Sequence, residues 1–330
     1  MQKEGFNIIY LDNASSAPVY DEVRRAVSDT MACCYANPSS VHSAAAPCRR
    51  VLRESRKIMA ELLGFRDSSV YFTSGGTEAN NTAVRSAVCR TDRRQIIVSA
   101  QEHSSVLSPA LSLRAAGFTV EFIYPDRCGR IDPDVLASAA GRNTALICVQ
   151  AANNETGVVQ DIEAVAAVAH SVGALYHCDA VQSFGHADTA LHCADTVSVS
   201  AHKFGGPKGV GCLAVRAGLR PEPLITGGGQ EFGLRSGTEN LPGIAGMALA
   251  ARLAHGELER EAVRQRELVE LLLGSIEPDI PGLRVNSGAA LRLPGIVSLG
   301  IPGVSGEELM TRLDSAGVCV SVGSILSAAI

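Results

Sequence analysis

Seven apolar runs of four to six residues recur between residues 70 and 215, and longer amphipathic stretches fill most of the gaps between them. The runs are Val70–Thr73, Gln95–Ser99, 119–124, 145–150, 174–178, Thr196–Ser200 and Gly211–Val215. Helix-like segments lie at 78–90, 105–116, 133–140 and 162–172. Strand, helix and strand in repetition predict an α/β fold with a mostly parallel sheet flanked by helices. The pattern changes near Gly246: residues 247–276 read as one or two long helices rich in Leu, Glu and Arg, and strand-like pieces follow at 283–285 and 295–299. A chain of 330 residues is too long for one small core. A large domain is expected over 15–250, with 1–14 and 251–330 forming a smaller α+β domain.

Composition narrows the function classes. Net charge is −5, charged residues make up 19%, and no Lys/Arg run stands out, so a nucleic-acid surface is not expected. Met1 to Tyr10 carries mixed charges, and no stretch is apolar and long enough to span a bilayer, so no membrane association and a cytoplasmic location are expected. The ten cysteines are scattered without a CxxC pair, which argues against a structural zinc site and for small buried hydrophobes. No metal site is expected.

Five stretches at predicted strand ends carry chemistry. In FTSGGTEANN, at Phe72, two glycines precede a helix that begins near Thr77 and Glu78. Glycine lets backbone approach a ligand, and a helix start with a threonine cap suits a phosphate; an ordinary βα turn reads equally well from these residues. In YHCDAVQ, Asp179 ends a buried strand, where it could pair with a protonated ring nitrogen or simply cap a helix. In SVSAHKFGGP, Lys203 follows an apolar strand and precedes Gly205 and Gly206. A lysine held among apolar groups can form a Schiff base; a solvated loop lysine is the plain alternative. His202 beside it could bind phosphate. His103, in QEHSSV, could stack on a flat cofactor and move protons, or be a surface loop histidine. The amide-bearing stretch Asn153, Asn154, Glu155 could meet a phenolic oxygen or form a turn. The glycine-rich GGGQEFGLRSGTEN, at Gly227, reads as a loop that approaches something closely.

These stretches, with YLDNASSAP at Tyr10, NPSSVH at Asn37 and NNETGVVQDI at Asn153, run in one order over nearly the whole chain. In that order they resemble the cysteine desulfurases, within the class-V aminotransferases of pyridoxal-phosphate (PLP) fold type I. The resemblance implies that Lys203 carries PLP, that Gly76, Thr77, Ser200 and His202 bind its phosphate, and that Asp179 pairs with the pyridine nitrogen. It further implies that Gln182 and Asn154 lie on the phenolic-oxygen side, and that His103 stacks on the ring and assists proton transfer. Thr238 would reach the phosphate of a partner subunit, which implies a homodimer. L-cysteine is the implied substrate, alanine the product, and a sulfur-acceptor or scaffold protein the partner, as in iron–sulfur cluster assembly.

Two departures from the family pattern stand out. The family's nucleophilic cysteine sits in a loop reading roughly SxGSACxS; here Ser321 to Ser327 reads SVGSILS, and Leu326 occupies that place. A leucine accepts no sulfur, and Cys319 is the only cysteine nearby. The chain also ends at Ile330, before the stretch that in the family supplies an arginine for the substrate carboxylate, so the small domain is expected to be incomplete. Three outcomes are therefore expected to compete: a desulfurase, a PLP-dependent C–S or selenocysteine lyase-like enzyme that does without the cysteine, and a non-catalytic PLP-binding dimer or scaffold.

Overall fold

A computed structural model describes residues 8–89 and 91–323. The strands are β1 (Ile9–Tyr10), β2 (Val70–Thr73), β3 (Gln95–Ser99), β4 (Thr119–Ile123), β5 (Thr144–Cys148), β6 (Leu175–Asp179), β7 (Thr196–Ser200), β8 (Gly211–Val215), β9 (Arg284–Val285), β10 (Leu299–Gly300) and β11 (Val318–Cys319). The helices are α1 (Asp21–Cys33), α2 (Ala46–Leu63), α3 (Gly76–Cys89), α4 (Ser104–Ala115), α5 (Pro133–Ala139), α6 (Ile162–Ser171), α7 (Leu241–Gly256), α8 (Leu258–Ile276) and α9 (Gly306–Ser315).

β2 to β8 form one sheet in the order β2-β8-β7-β6-β5-β3-β4. All neighbours are parallel except β8, which runs antiparallel to both β2 and β7. Both faces are covered, and the strands show it residue by residue. Ile97 of β3 and Ile147 of β5 join one core with Met59, Ile162 and Met247, while Ile96, Val98, Leu146 and Cys148 join a second with Val84 and Val106. Strands buried on both faces have no polar side to show, which is why they read as continuous apolar runs.

Local chemistry ends the helices where the sheet needs them. Gly64 stops α2 in the left-handed region at φ 75°, its N–H bonded to the carbonyls of Ala60 and Glu61. Asp132 and Asp161 cap α5 and α6 through their carboxylates, and Asn240 caps α7. The sequence pattern starts the third helix at Glu78, but α3 begins two residues earlier, at Gly76. Glycine propensity hides that first turn, which tertiary packing holds in place.

Residues 247–276 are two helices, not one: α7 starts at Leu241 and ends at Gly256, and α8 follows with no buried residue. The strand expected at 295–299 is also shorter. Only Leu299–Gly300 pairs, antiparallel to β9, while Leu293 bonds instead to the Gly157 carbonyl at 2.8 Å. Pro294, lacking an N–H, interrupts any longer ladder. β1 pairs in parallel with β11, so the two ends of the described chain lie side by side. Among the described residues, no helix is long and apolar enough to cross a membrane.

One buried ion pair ties the glycine-rich loop to the sheet edge. Arg56 of α2 meets Glu231 through two parallel bonds of 2.6 and 2.7 Å, with both side chains almost fully buried. Glu231 also accepts from the Phe72 N–H at 2.8 Å, and Arg56 donates to the Val70 carbonyl at 2.5 Å. The guanidinium lies 4.9 Å from the ring centroids of Phe72 and Phe232. Glu231 and Phe232 both adopt positive φ, 48° and 57°, a cost that these contacts offset. Glu231→Ala strands a buried guanidinium, so it should lower unfolding free energy by about 3–5 kcal/mol in a denaturant titration.

Candidate active site

The carboxyl ends of parallel strands collect the functional side chains. Asp179 ends β6, Ser200 ends β7, and the turn after it carries His202 and Lys203. His103 lies just past the end of β3, and Gly76 and Thr77 open α3 after β2. Open α/β sheets bind ligands outside such strand ends.

Lys203 Nζ donates to the carbonyls of Ala14 and Ser15, at 2.6 and 3.0 Å. Burial lowers its amine below the usual lysine range, and the charges of Asp179 and Asp12 oppose that shift. The segment that supplies the two carbonyls is itself held. Tyr10 Oη shares its one proton between the carbonyls of Asp12 and Ser16, at 3.0 and 2.9 Å, and Ser321 Oγ donates to the Asp12 carboxylate. On the other side His186 Nε2 lies 2.9 Å from the Lys203 carbonyl. His202 Nδ1 is 3.3 Å from Ser16 Oγ, and burial first, then Lys203 and Lys208, lowers its basicity. Gly205 must be glycine: it has φ 80°, and a Cβ there would come within 2.3 Å of the Tyr20 ring.

Asp179 is fully buried. Burial raises its carboxyl pKa, and the Val181 N–H at 2.9 Å, the Asn80 amide at 2.7 Å, and the basic side chains of His103 and Lys203 oppose that rise without cancelling it. Those donors and charges favour the ionised form that a cationic partner requires. Glu102, one residue before His103, is buried too: burial, then the neighbouring Asp179 charge, raises its pKa well above the carboxylate range. It accepts from the Gln150 N–H at 2.5 Å.

The glycine turn packs closely against β7 and β8. A Cβ on Gly76 would lie 2.6 Å from Val181 Cγ2, and one on Gly211 would lie 2.7 Å from Gly75 Cα. Glu78 fastens the turn, accepting from the Ser74 N–H at 2.9 Å and from Arg235 Nε at 3.0 Å. Burial pushes the Glu78 carboxyl up, but these two donors outweigh it and hold the group below its usual range.

Lys203, His103 and Asp179 are thus brought together, with Ser200 close to Gly75 and Gly76. Gln182 is buried nearby on the segment after β6, and its Oε1 has no hydrogen-bond partner among the described residues. Asn154 is half-buried, beside Asn153, whose side chain is committed to the turn: it accepts from Glu155 and Thr156 and donates to the Gln101 carbonyl. Thr238 sits exposed on the 227–240 loop. Leu326 lies outside the described residues, whereas Cys319 is half-buried in β11, its backbone paired with Tyr10.

The motifs did not flag Asn80, Ser105, His177 or Glu102 as parts of the site. The one available signal was polarity in the wrong place: Asn80 stands in α3 between the buried Ala79 and Ala83, and His177 stands inside a strand between the buried Tyr176 and Cys178.

This arrangement fits a PLP enzyme. It pairs a desolvated lysine with a buried acid, beside a close-packed glycine turn and a buried amide oxygen that lacks a partner among the described residues. The aminotransferase class-V family model matches residues 9–329, and the chain belongs to that family of PLP-dependent enzymes. Among curated relatives, the cysteine desulfurase IscS of Dictyoglomus turgidum is 38% identical over 97% of this chain and 82% of its own length. A cysteine desulfurase of Cereibacter sphaeroides is 41% identical over 96% of this chain and 82% of its own length. Among solved structures, a NifS-like protein superposes with a TM-score of 0.92 at 34% identity, covering 98% of this chain and 89% of its own. SspA in complex with cysteine gives 0.83 at 32% identity, covering 97% and 91%.

His177 makes part of the fold pH-sensitive. Burial lowers its pKa from 6.5 to about 4, with a backbone contact to Thr196 opposing. Between those values the unfolded chain binds a proton that the folded chain does not. Stability is therefore complete above pH 6.5 and falls as pH drops toward about 4, by about 3 kcal/mol. Denaturant titrations at pH 7 and pH 4.5 should show this loss, and His177→Gln should reduce it.

Proposed function

We propose that this chain is a PLP-dependent cysteine desulfurase that removes sulfur from L-cysteine, leaves alanine, and passes the sulfur to an acceptor. The observation that carries the reading is the facing of Lys203 and Asp179 at the carboxyl ends of adjacent parallel strands, one desolvated amine and one buried carboxylate. When bound, PLP supplies an electron sink that stabilises carbanionic charge next to the amino group of the substrate.

The chain's own residues have distinct parts. The lowered basicity of Lys203 leaves more of its Nζ unprotonated at neutral pH, so that it can bond to a carbonyl carbon and later take up or return a proton. Asp179 balances positive charge on a ring nitrogen. Gly76, Thr77, Ser200 and His202 hold a phosphate with backbone N–H, hydroxyl and imidazole donors. Gln182 and Asn154 meet the phenolic-oxygen side of the ring. His103 lies over the ring and moves a proton to or from the substrate. Thr238, on its exposed loop, reaches the site of a second subunit, so the working form is a homodimer. We further propose that it works in the cytoplasm with a sulfur-acceptor protein.

Sulfur release leaves room for a second reading, because Leu326 stands where the family carries its cysteine. On that reading a C–S or selenocysteine lyase-like enzyme passes the sulfur to a small-molecule thiol in solution as a persulfide, and a second thiol reduces that persulfide to sulfide while forming a disulfide, which supplies the two electrons.

Purified chain with PLP, L-cysteine and a thiol reductant should produce alanine and sulfide over repeated turnovers. Lys203→Ala should abolish both turnover and the visible absorption of the bound cofactor. His103→Ala should keep that absorption while kcat falls by about 10²–10⁴-fold. No turnover by a chain that holds its cofactor would refute both enzymatic readings. Protein-bound persulfide trapped by an alkylating agent supports the desulfurase, and sulfide without it supports the lyase-like reading.

A further inference from the structure

Asp179 and His103 belong to the proposed site, and one buried side chain, Asn80, bonds to Asp179 directly and reaches His103 through Ser105. This side chain is 1% exposed on the face of α3 that packs against the sheet. Its amide nitrogen donates to Asp179 Oδ2 at 2.7 Å and to Ser105 Oγ at 2.8 Å. Its amide oxygen lies 3.0 Å from His177 Nε2, and His177 Nδ1 lies 2.9 Å from Thr196 Oγ1. Ser105 Oγ is in turn 2.7 Å from His103 Nδ1, which also accepts from the Ser105 N–H at 3.1 Å.

The orientation of the amide follows from charge. Turning it over would set its oxygen against a carboxylate oxygen at 2.7 Å, which an ionised Asp179 forbids. The oxygen must then face His177, and His177 must donate from Nε2. Neutral imidazole has one N–H, so Nδ1 of His177 accepts from the Thr196 hydroxyl. The second amide N–H occupies a lone pair of Ser105 and turns the Ser105 hydroxyl proton toward His103 Nδ1. Neutral His103 consequently carries its proton on Nε2, away from the helix start that Nδ1 caps.

We infer that Asn80 is a positioning residue that fixes, through one buried amide, both the carboxylate of Asp179 and, by way of Ser105, the tautomer of His103, and that His177 with Thr196 locks the amide in that orientation. The inference rests on the PLP reading of the site. It deepens that reading by coupling the ring-nitrogen acid to the imidazole above the ring.

The first measurement needs no cofactor. Nitrogen-15 NMR of the full-length chain with labelled histidine rings, assigned by the His103→Ala and His177→Gln variants, should show His177 neutral near pH 7 with its proton on Nε2, and the neutral form of His103 with its proton on Nε2. A proton on Nδ1 of His177 overturns the inference. The second measurement titrates PLP into the chain and follows the visible absorption of the lysine-bound cofactor and its dependence on pH. Wild type should saturate; if it binds no PLP, the functional reading falls and this inference with it. Given wild-type binding, Asn80→Ala should raise the dissociation constant by about tenfold, the cost of one charge-assisted hydrogen bond, and should displace the pH midpoint of the absorption. Wild-type affinity and midpoint in Asn80→Ala, with only a lower melting temperature, would mean a structural role and overturn the inference. Should Asn80→Ala fail to fold, His177 decides. Glutamine at 177 can still supply an N–H to Asn80 and should preserve affinity and midpoint, whereas His177→Leu cannot and should shift both. Equal behaviour of the two variants overturns the inference.

Discussion

Keeping a carboxylate charged at the buried end of a strand is the demand around which this molecule is arranged. Burial alone drives Asp179 toward its neutral form, and an isolated ionised carboxylate in apolar surroundings would cost many kcal/mol. The fold answers with a donor for each oxygen, the Val181 N–H and the Asn80 amide, and with the basic side chains of His103 and Lys203 nearby. Each answer comes from a different element. Val181 follows β6, Asn80 rises from α3, His103 caps α4, and Lys203 closes the turn after β7. The charge can therefore persist only when two helices and two strand ends are docked together.

The same docking sets the chemistry of Lys203. Its amine is desolvated enough to lose basicity, yet it is bonded to two carbonyls from the segment that follows β1. β1 pairs with β11, and Ser321 reaches back to Asp12, so the stretch that cradles the lysine is braced by the far end of the described chain. On the opposite flank Arg56 and Glu231 anchor the strained start of the 231–238 loop, and Arg235 of that loop ties Glu78 to the glycine turn. Rigid elements hold the reactive groups while exposed loops, including the one with Thr238, reach outward. This division suits a site that must position a flat cofactor tightly and still admit a substrate.

Much of this was legible in the chain itself. Four of the seven apolar runs became strands with unchanged bounds and the other three shifted by no more than two residues at either end, because a sheet buried on both faces leaves little freedom to its sequence. The placement of Lys203, Asp179 and Gly76 at strand ends followed from the same pattern, since each sits where an apolar run stops. The resemblance to class-V aminotransferases rested on the order of eight short stretches, and the family match spans them all. Helix boundaries were less legible. The first turn of α3 contains a glycine, and the break between α7 and α8 falls at Gly256 and Glu257 with no proline to mark it. Local propensity is weak there and packing decides.

The sequence by itself determined the strand and helix alternation, the family, and the residue types able to hold a phosphate, a ring nitrogen and a carbonyl carbon. Those depend on local pattern and on short motifs, which a linear reading preserves. The tertiary structure alone decided which polar side chains share a buried environment. Asn80 and Asp179 are 99 residues apart, Lys203 and Ala14 are 189, and Arg56 and Glu231 are 175. Hydrogen bonds and ion pairs act over a few ångströms in space, and no local pattern encodes which distant partners the packing of helices on the sheet will bring within that reach.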